Sequence, residues 1–219
     1  MEWLWWRLVS FGFRLLYNEL AFTYDSVSWI VSLGAWRCWI GSALKHLDTK
    51  SLVLELAHGT GNLQIDLKAA GYQAIGYDLS AGMGHIAQAK LRRHGIETHL
   101  TRGRAQQLPF ANGSFAAVVS TFPTDFIAAP ETVNEVYRVL KPGGVFVVVP
   151  NAQLTSGGWS AKALEWLYRI TGQRGGTEPV KDTTQADDFA KVFAPFQVEM
   201  VEEPCPRSIV TVIIARKIE

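Results

Sequence analysis

The chain carries only two cysteines in 219 residues, Cys38 and Cys205, and they lack the paired spacing of a metal site. That scarcity excludes a disulfide framework, so two free thiols in a reducing interior are expected. Charge of one sign is equally scarce: 21 Lys and Arg against 20 Asp and Glu leave a net +1, and no basic run occurs. Nucleic acid is therefore not an expected partner, because holding a phosphate backbone requires a basic excess. The five histidines, His46, His58, His85, His94 and His99, show no ligand spacing, and no metal is expected. No repeat or low-complexity segment appears.

What is present is apolar material. At 48 % hydrophobic residues the chain can bury one full core, whereas two domains would be cramped. The stretch Val53-Leu54-Glu55-Leu56-Ala57-His58-Gly59-Thr60-Gly61-Asn62 organises the rest. A short apolar run ending in an acid and opening into small residues reads as a buried strand, a tight turn and a helix start. Glycine in such a turn adopts backbone angles that other residues avoid, and the free N–H groups at the helix start face a nucleotide-like ligand. Ile75-Gly76-Tyr77-Asp78-Leu79-Ser80 then gives a second strand ending in an acid, about 20 residues on, where a carboxylate can accept both ribose hydroxyls. Glu55, Asp78 and the turn together describe one adenosine-shaped slot.

Strands are expected at Leu52–Leu56, Ala74–Tyr77, Thr98–Thr101, Ala116–Ser120 and Val145–Val149, with helices at Asn62–Ala70, Ala81–His94 and Pro130–Leu140. This alternation predicts an α/β, Rossmann-like three-layer sandwich around a parallel sheet. A closing hairpin of strands Gln197–Glu202 and Ile209–Ala215 brings the expected sheet to seven strands. Helices are also expected over Trp36–Leu47, Trp159–Ile170 and Gln185–Phe193. Pro150 to Gly158 reads as a flexible link.

The first 50 residues read as N-terminal amphipathic helices, a lid or a membrane contact, and residues 51–219 as the main domain with a helical insertion over about 151–176. Trp3, Trp5 and Trp6 crowd the start of an apolar segment, residues 1–20, that Arg7 and Arg14 interrupt. Those arginines argue against a spanning helix and against a secretory signal. A helix lying in a membrane interface, with tryptophans at the headgroups and arginines reaching outward, fits the pattern, as does one packed on the core.

The ordered motifs resemble the class I S-adenosylmethionine-dependent methyltransferases, in particular the small-molecule branch that includes the ubiquinone/menaquinone C-methyltransferases. Glu55, Ala57, Gly59 and Gly61 match that family's first motif, Asp78 its ribose-binding acid, and Met83 a residue packed beside the adenine. Gly103-Arg104-Ala105-Gln106-Gln107-Leu108-Pro109-Phe110 resembles its loop between the third and fourth strands, and Tyr24-Asp25 its leader, in which Tyr24 would help close the pocket. The resemblance implies S-adenosyl-L-methionine as cofactor and S-adenosyl-L-homocysteine as product. The implied contacts are Tyr24, Glu55, Ala57, His58, Gly59, Gly61, Asp78, Leu79, Met83, Arg104, Ala105, Gln106, Ser120, Thr121 and Phe122.

Three departures stand out. Ala57 replaces a glycine, Arg104 stands where an acid usually bonds the adenine amino group, and Ala116 stands where an acid often begins the fourth strand. Thr121-Phe122-Pro123-Thr124-Asp125-Phe126 leaves the fourth strand, so it should face the transferred methyl and the substrate. Asp125 is the first candidate base and His58 the second. Methyl transfer from a sulfonium needs alignment and water exclusion more than a dedicated base, so no triad need be visible. The acceptor is expected to be small and apolar or lipid-like, and the location cytoplasmic, peripheral at a membrane. A nicotinamide-dependent oxidoreductase is the competing enzyme, although the turn lacks the third glycine or alanine of the dinucleotide fingerprint. A non-catalytic, membrane-associated cofactor-binding subunit is the other alternative.

Overall fold

A computed structural model describes residues 23–47, 51–155 and 192–218. The segment 1–20, the insertion helix Trp159–Ile170 and nearly all of Gln185–Phe193 lie outside the described residues.

Two short helices lead in: α1, Tyr24–Val31, and α2, Trp36–Gly41. The single helix expected over Trp36–Leu47 ends early in a 3-10 turn, Ser42–His46, where the Ser42 hydroxyl bonds back to the Trp39 carbonyl at 2.6 Å. Such back-bonding by serine competes with the helical ladder. The core then alternates β1 (Leu52–Leu56), α3 (Asn62–Ala69), β2 (Gln73–Asp78), α4 (Ala81–Arg93), β3 (Leu100–Arg102), β4 (Phe115–Thr121), α5 (Pro130–Val139), β5 (Leu140–Leu154), β6 (Phe196–Cys205) and β7 (Ser208–Lys217).

These strands form a seven-stranded sheet in the order β3-β2-β1-β4-β5-β7-β6. The first five are mutually parallel, and β7 runs antiparallel to both β5 and β6. The chain order reverses between β1 and β4, and it is beyond the carboxyl ends at such a switch that ligands bind.

Both faces are covered, as the unbroken apolar runs require. Leu54, Leu56, Val118, Phe146 and Val148 face α5, with Val133, Val136 and Val139 packed against them. Val53, Ala117, Val119, Val145 and Val147 face the opposite way, onto Trp39 and Ile40 of α2 and Leu63 and Leu67 of α3. Parity along β1 and β2 puts Glu55 and Asp78 on this second face together.

Three further expectations need correction. β5 starts at Leu140, so the Pro142-Gly143-Gly144 step is an irregularity within a strand paired to β4; the chain leaving α5 enters the sheet directly. Residues 150–154 are strand as well, because β7 extends far enough to pair with Asn151–Leu154 beyond a bulge. The two cysteines are joined: Cys38 on α2 and Cys205 at the end of β6 form a disulfide across 167 residues of sequence. Spacing hid this, since only the fold brings α2 onto the sheet edge, and the argument from free thiols to a reducing interior falls with it.

Candidate active site

The turn after β1 is built by backbone conformation. Ala57, Gly59 and Gly61 have φ of 55°, 53° and 80°, all in the left-handed region. Gly61 is also crowded, because a Cβ there would lie 3.0 Å from the Ala87 methyl of α4. The turn thus sits tight on α4 and opens α3, its Ala57, Gly59 and Gly61 N–H groups bonding the Tyr77 carbonyl, Asp78 Oδ2 and the His58 carbonyl. Ala57 meets the same backbone requirement at a steric cost that glycine would avoid.

Asp78 closes the turn from the tip of β2. Its Oδ2 accepts from Gly59 N at 2.9 Å and its Oδ1 from Ser80 N at 2.7 Å. Each oxygen retains lone-pair capacity for a ligand hydroxyl. Next to it Leu79 is 57 % exposed, an apolar side chain held out at a strand tip, while Met83, one turn into α4, is buried beneath. Ser80 caps α4 by accepting from Met83 N at 3.1 Å.

Glu55 lies a layer deeper. It is 1 % exposed, and its Oε2 accepts from the Gln64 side chain at 2.6 Å. Burial, opposed by Gln64 and reinforced by the negative charges of Asp78 and Asp66, pushes its carboxyl up to about 8. His58 is also buried, with Nδ1–H donating to the Gly59 carbonyl at 2.9 Å and its ring edge against Gly76. Burial lowers its pKa against the pull of Asp78. Both side chains shape the turn from within the protein.

The loop after β3 forms the next wall. Gly103 N bonds the Asp78 carbonyl at 3.0 Å, and the Tyr77 ring fills the space where a Gly103 side chain would stand. Arg104 is exposed, Ala105 buried and Gln106 half-buried. The loop is clamped from α5: Glu135 accepts from Leu108 N, and Arg138 donates to the Leu108 and Phe110 carbonyls and to Asn112.

Near the end of β4, Ser120 is fully buried and ties β4 to β1 by donating to the Leu56 carbonyl at 2.9 Å. Thr121 and Phe122 are half-buried. Phe122 holds φ of 49°, a strained backbone for an aromatic residue, which places its ring 4.7 Å from Trp36 and 5.8 Å from Trp39. Tyr24 meets Trp36 edge-on at 6.2 Å, so four rings gather beside the tip of β4. Asp125 is exposed at the start of a 3-10 turn, Asp125–Ala128.

The structure therefore gathers Ala57, Gly59, Gly61, Asp78, Leu79 and the 103–106 loop around one end of the sheet, with the β4 tip and Tyr24 alongside. Sequence reading missed Gln64 as the partner of Glu55, Trp36 and Trp39 as partners of Phe122, and Asp25. Asp25 stood in the Tyr-Asp pair, but nothing local shows that its carboxylate reaches the glycine turn.

A switch-point turn of left-handed small residues, a carboxylate on the neighbouring strand tip and an antiparallel β7 define a Rossmann-like enzyme of the methyltransferase type. A family model described as a methyltransferase domain matches residues 53–144. A demethylmenaquinone methyltransferase of Thermus thermophilus is 34 % identical over 164 residues, covering 73 % of this chain and 72 % of that protein. The same-named protein of Beutenbergia cavernae is 33 % identical, covering 80 % and 71 %. Among solved structures, geranyl diphosphate methyltransferase in complex with SAM superposes with a TM-score of 0.62 at 15 % identity, covering 83 % of this chain and 85 % of that one. A SAM-dependent methyltransferase from Methanosarcina mazei gives 0.57 at 19 %, covering 80 % and 96 %. At such identities these two establish the fold.

The chain belongs to the class I, small-molecule S-adenosylmethionine-dependent methyltransferases, and S-adenosylmethionine is its cofactor. The residues present fit that group: a carboxylate at the strand tip in Asp78, an exposed apolar neighbour in Leu79, and a turn in which Gly59 and Gly61 put no side chain over the main chain.

Proposed function

We propose that the protein methylates a small, apolar, quinone-like or lipid-borne acceptor seated beside the tip of β4. The observation that supports this most is the ring group Tyr24, Trp36, Trp39 and Phe122, assembled around a strained Phe122 backbone. Aromatic walls favour planar apolar guests through stacking and burial. The curated relatives are named for a demethylated menaquinone, which agrees in chemical class.

In this reading Asp78 takes the ribose hydroxyls, Gly59 and Gly61 bring bare main chain against the cofactor, and Leu79 and Met83 back the adenine. Arg104, Ala105 and Gln106 edge the base, and Tyr24 covers the opening. Ser120, Thr121 and Phe122 face the reacting methyl. Glu55, Ala57 and His58 hold the turn in shape from below. When bound, the cofactor supplies a methyl group made electrophilic by its sulfonium. The chain's part is to align the acceptor for in-line attack and to exclude water. Asp125, at the exit of β4, is the proposed proton acceptor where the substrate must lose a proton; the buried His58 is the weaker alternative.

The partner proposal includes a lipid surface. α1 exposes Trp29 at 64 % and Ile30 at 63 %, with Val27 beside them, directly after the tryptophan-rich residues 1–20. Among the described residues no helix is long and apolar enough to cross a membrane. Peripheral contact through residues 1–20 and this face of α1 fits both facts. A cytoplasmic location belongs to the same proposal, and the Cys38–Cys205 bond is the observation that weighs against it.

Incubating the protein with methyl-labelled cofactor and a lipid extract tests the acceptor class. Label should enter an apolar, quinone-containing fraction; label confined to water-soluble products refutes it. Trp29→Ser with Ile30→Ser should reduce flotation with anionic liposomes, and equal flotation would remove the membrane partner.

A further inference from the structure

Asp25 lies in the first turn of α1, where an acid ordinarily serves its own helix, yet α1 has no side-chain cap. Its carboxylate turns outward instead. Oδ1 accepts from the Thr60 hydroxyl at 2.6 Å and from the Asn62 amide at 2.9 Å, and Oδ2 accepts from the Lys90 ammonium. Lys90 also donates to the Asn62 side-chain carbonyl oxygen at 2.9 Å, and the Asn62 amide donates to the Thr60 hydroxyl at 3.2 Å, which closes the four residues into a ring. Thr60 and Asn62 flank Gly61 in the cofactor turn, and Lys90 sits on α4 behind it. One side chain thus joins the leader helix, the turn and α4, across 35 to 65 residues of sequence.

We infer that Asp25 is a positioning residue that docks α1 onto the cofactor turn and thereby sets how long the cofactor stays bound. An isolated, half-exposed ion pair would hold α1 weakly. Three donors converging on one carboxylate, one of them the hydroxyl of the buried Thr60, form a directional clamp. The clamp fixes Tyr24, the adjacent residue, edge-on to Trp36 and so determines how the leader closes on the β4 tip. Without Asp25 the three donors lose their shared acceptor, and α1 loses this tie to the turn and to α4.

The test is stopped-flow release of S-adenosylhomocysteine from the full chain, with amide hydrogen exchange read on residues 24–31. Asp25→Ala should speed release about tenfold with association changed less than about twofold, the pattern expected when a closing contact is lost. Bound product should slow exchange over 24–31 in the wild type and fail to do so in D25A, while still slowing it over α3. Thr60→Val and Lys90→Met remove one donor each and should give smaller accelerations, which keeps the test open if D25A folds poorly. Wild-type release and protection in all three variants would overturn the inference, as would accelerated release with residues 24–31 still protected. It rests on the cofactor's seat at this turn, and the failures are distinct: if the wild type does not bind the product, the seat itself is wrong.

Discussion

Glu55 offers the sharpest test of the electrostatics beneath the turn. Its carboxyl is pushed up to about 8 by burial, against an ordinary value of 4.5, so the folded chain keeps this proton at neutral pH and the unfolded chain does not. Between those two values the native state binds more protons than the denatured state, and stability falls as pH rises. Glutamine has nearly the same shape, can receive the Gln64 amide and never ionises. Glu55→Gln should therefore remove a penalty that linkage puts at about 1 kcal/mol at pH 5, about 3 at pH 7 and about 5 at pH 9. Urea unfolding of both chains without cofactor at those three pH values reads the differences. The required result is a gap that widens with pH. A gap independent of pH, or one that narrows as pH rises, would show that Glu55 is not the buried acid described.

Other consequences follow from single contacts. Ala57→Gly relieves a left-handed backbone, offset in part by the greater freedom of unfolded glycine, and should raise stability by about 0.5–1 kcal/mol and the melting temperature by about 2 °C. Opening Cys38–Cys205 with a dithiol, or replacing both by serine, releases a closure spanning 167 residues and should cost about 2–4 kcal/mol in a thermal scan. A thiol assay on denatured, unreduced protein should find no free thiol; two would contradict the bond. Arg138→Ala should free the 104–113 loop and show as faster proteolysis there, since Arg138 makes three of the loop's contacts to α5.

The strands β1 and β4 were legible because they are apolar and short, and the helices α3 to α5 because they begin where Gly61, Ser80 and Pro130 say they should. Periodicity and turn chemistry are local properties, and they located β1, β4 and α3 to α5 within a residue or two. The ends of β5 were not legible, because Pro142-Gly143-Gly144 and Asn151–Leu154 become strand only through the partners that β4 and β7 provide. The same limit hid Asp25, Gln64 and the disulfide, whose roles depend on residues 9 to 167 positions away. Asp78 was readable in advance because its spacing from the turn is set by one helix and one strand. Glu55 was readable as a carboxylate near the site, but its burial under Gln64 was not.

Calorimetric titration with S-adenosylmethionine, set against NAD and repeated on Asp78→Ala, tests the central claim most directly. One-site binding of S-adenosylmethionine, no heat with NAD, and a loss of about 100-fold or more in affinity when the strand-tip carboxylate is removed are the expected results. Binding of NAD in its place, or unchanged affinity in the Asp78 variant, would contradict it.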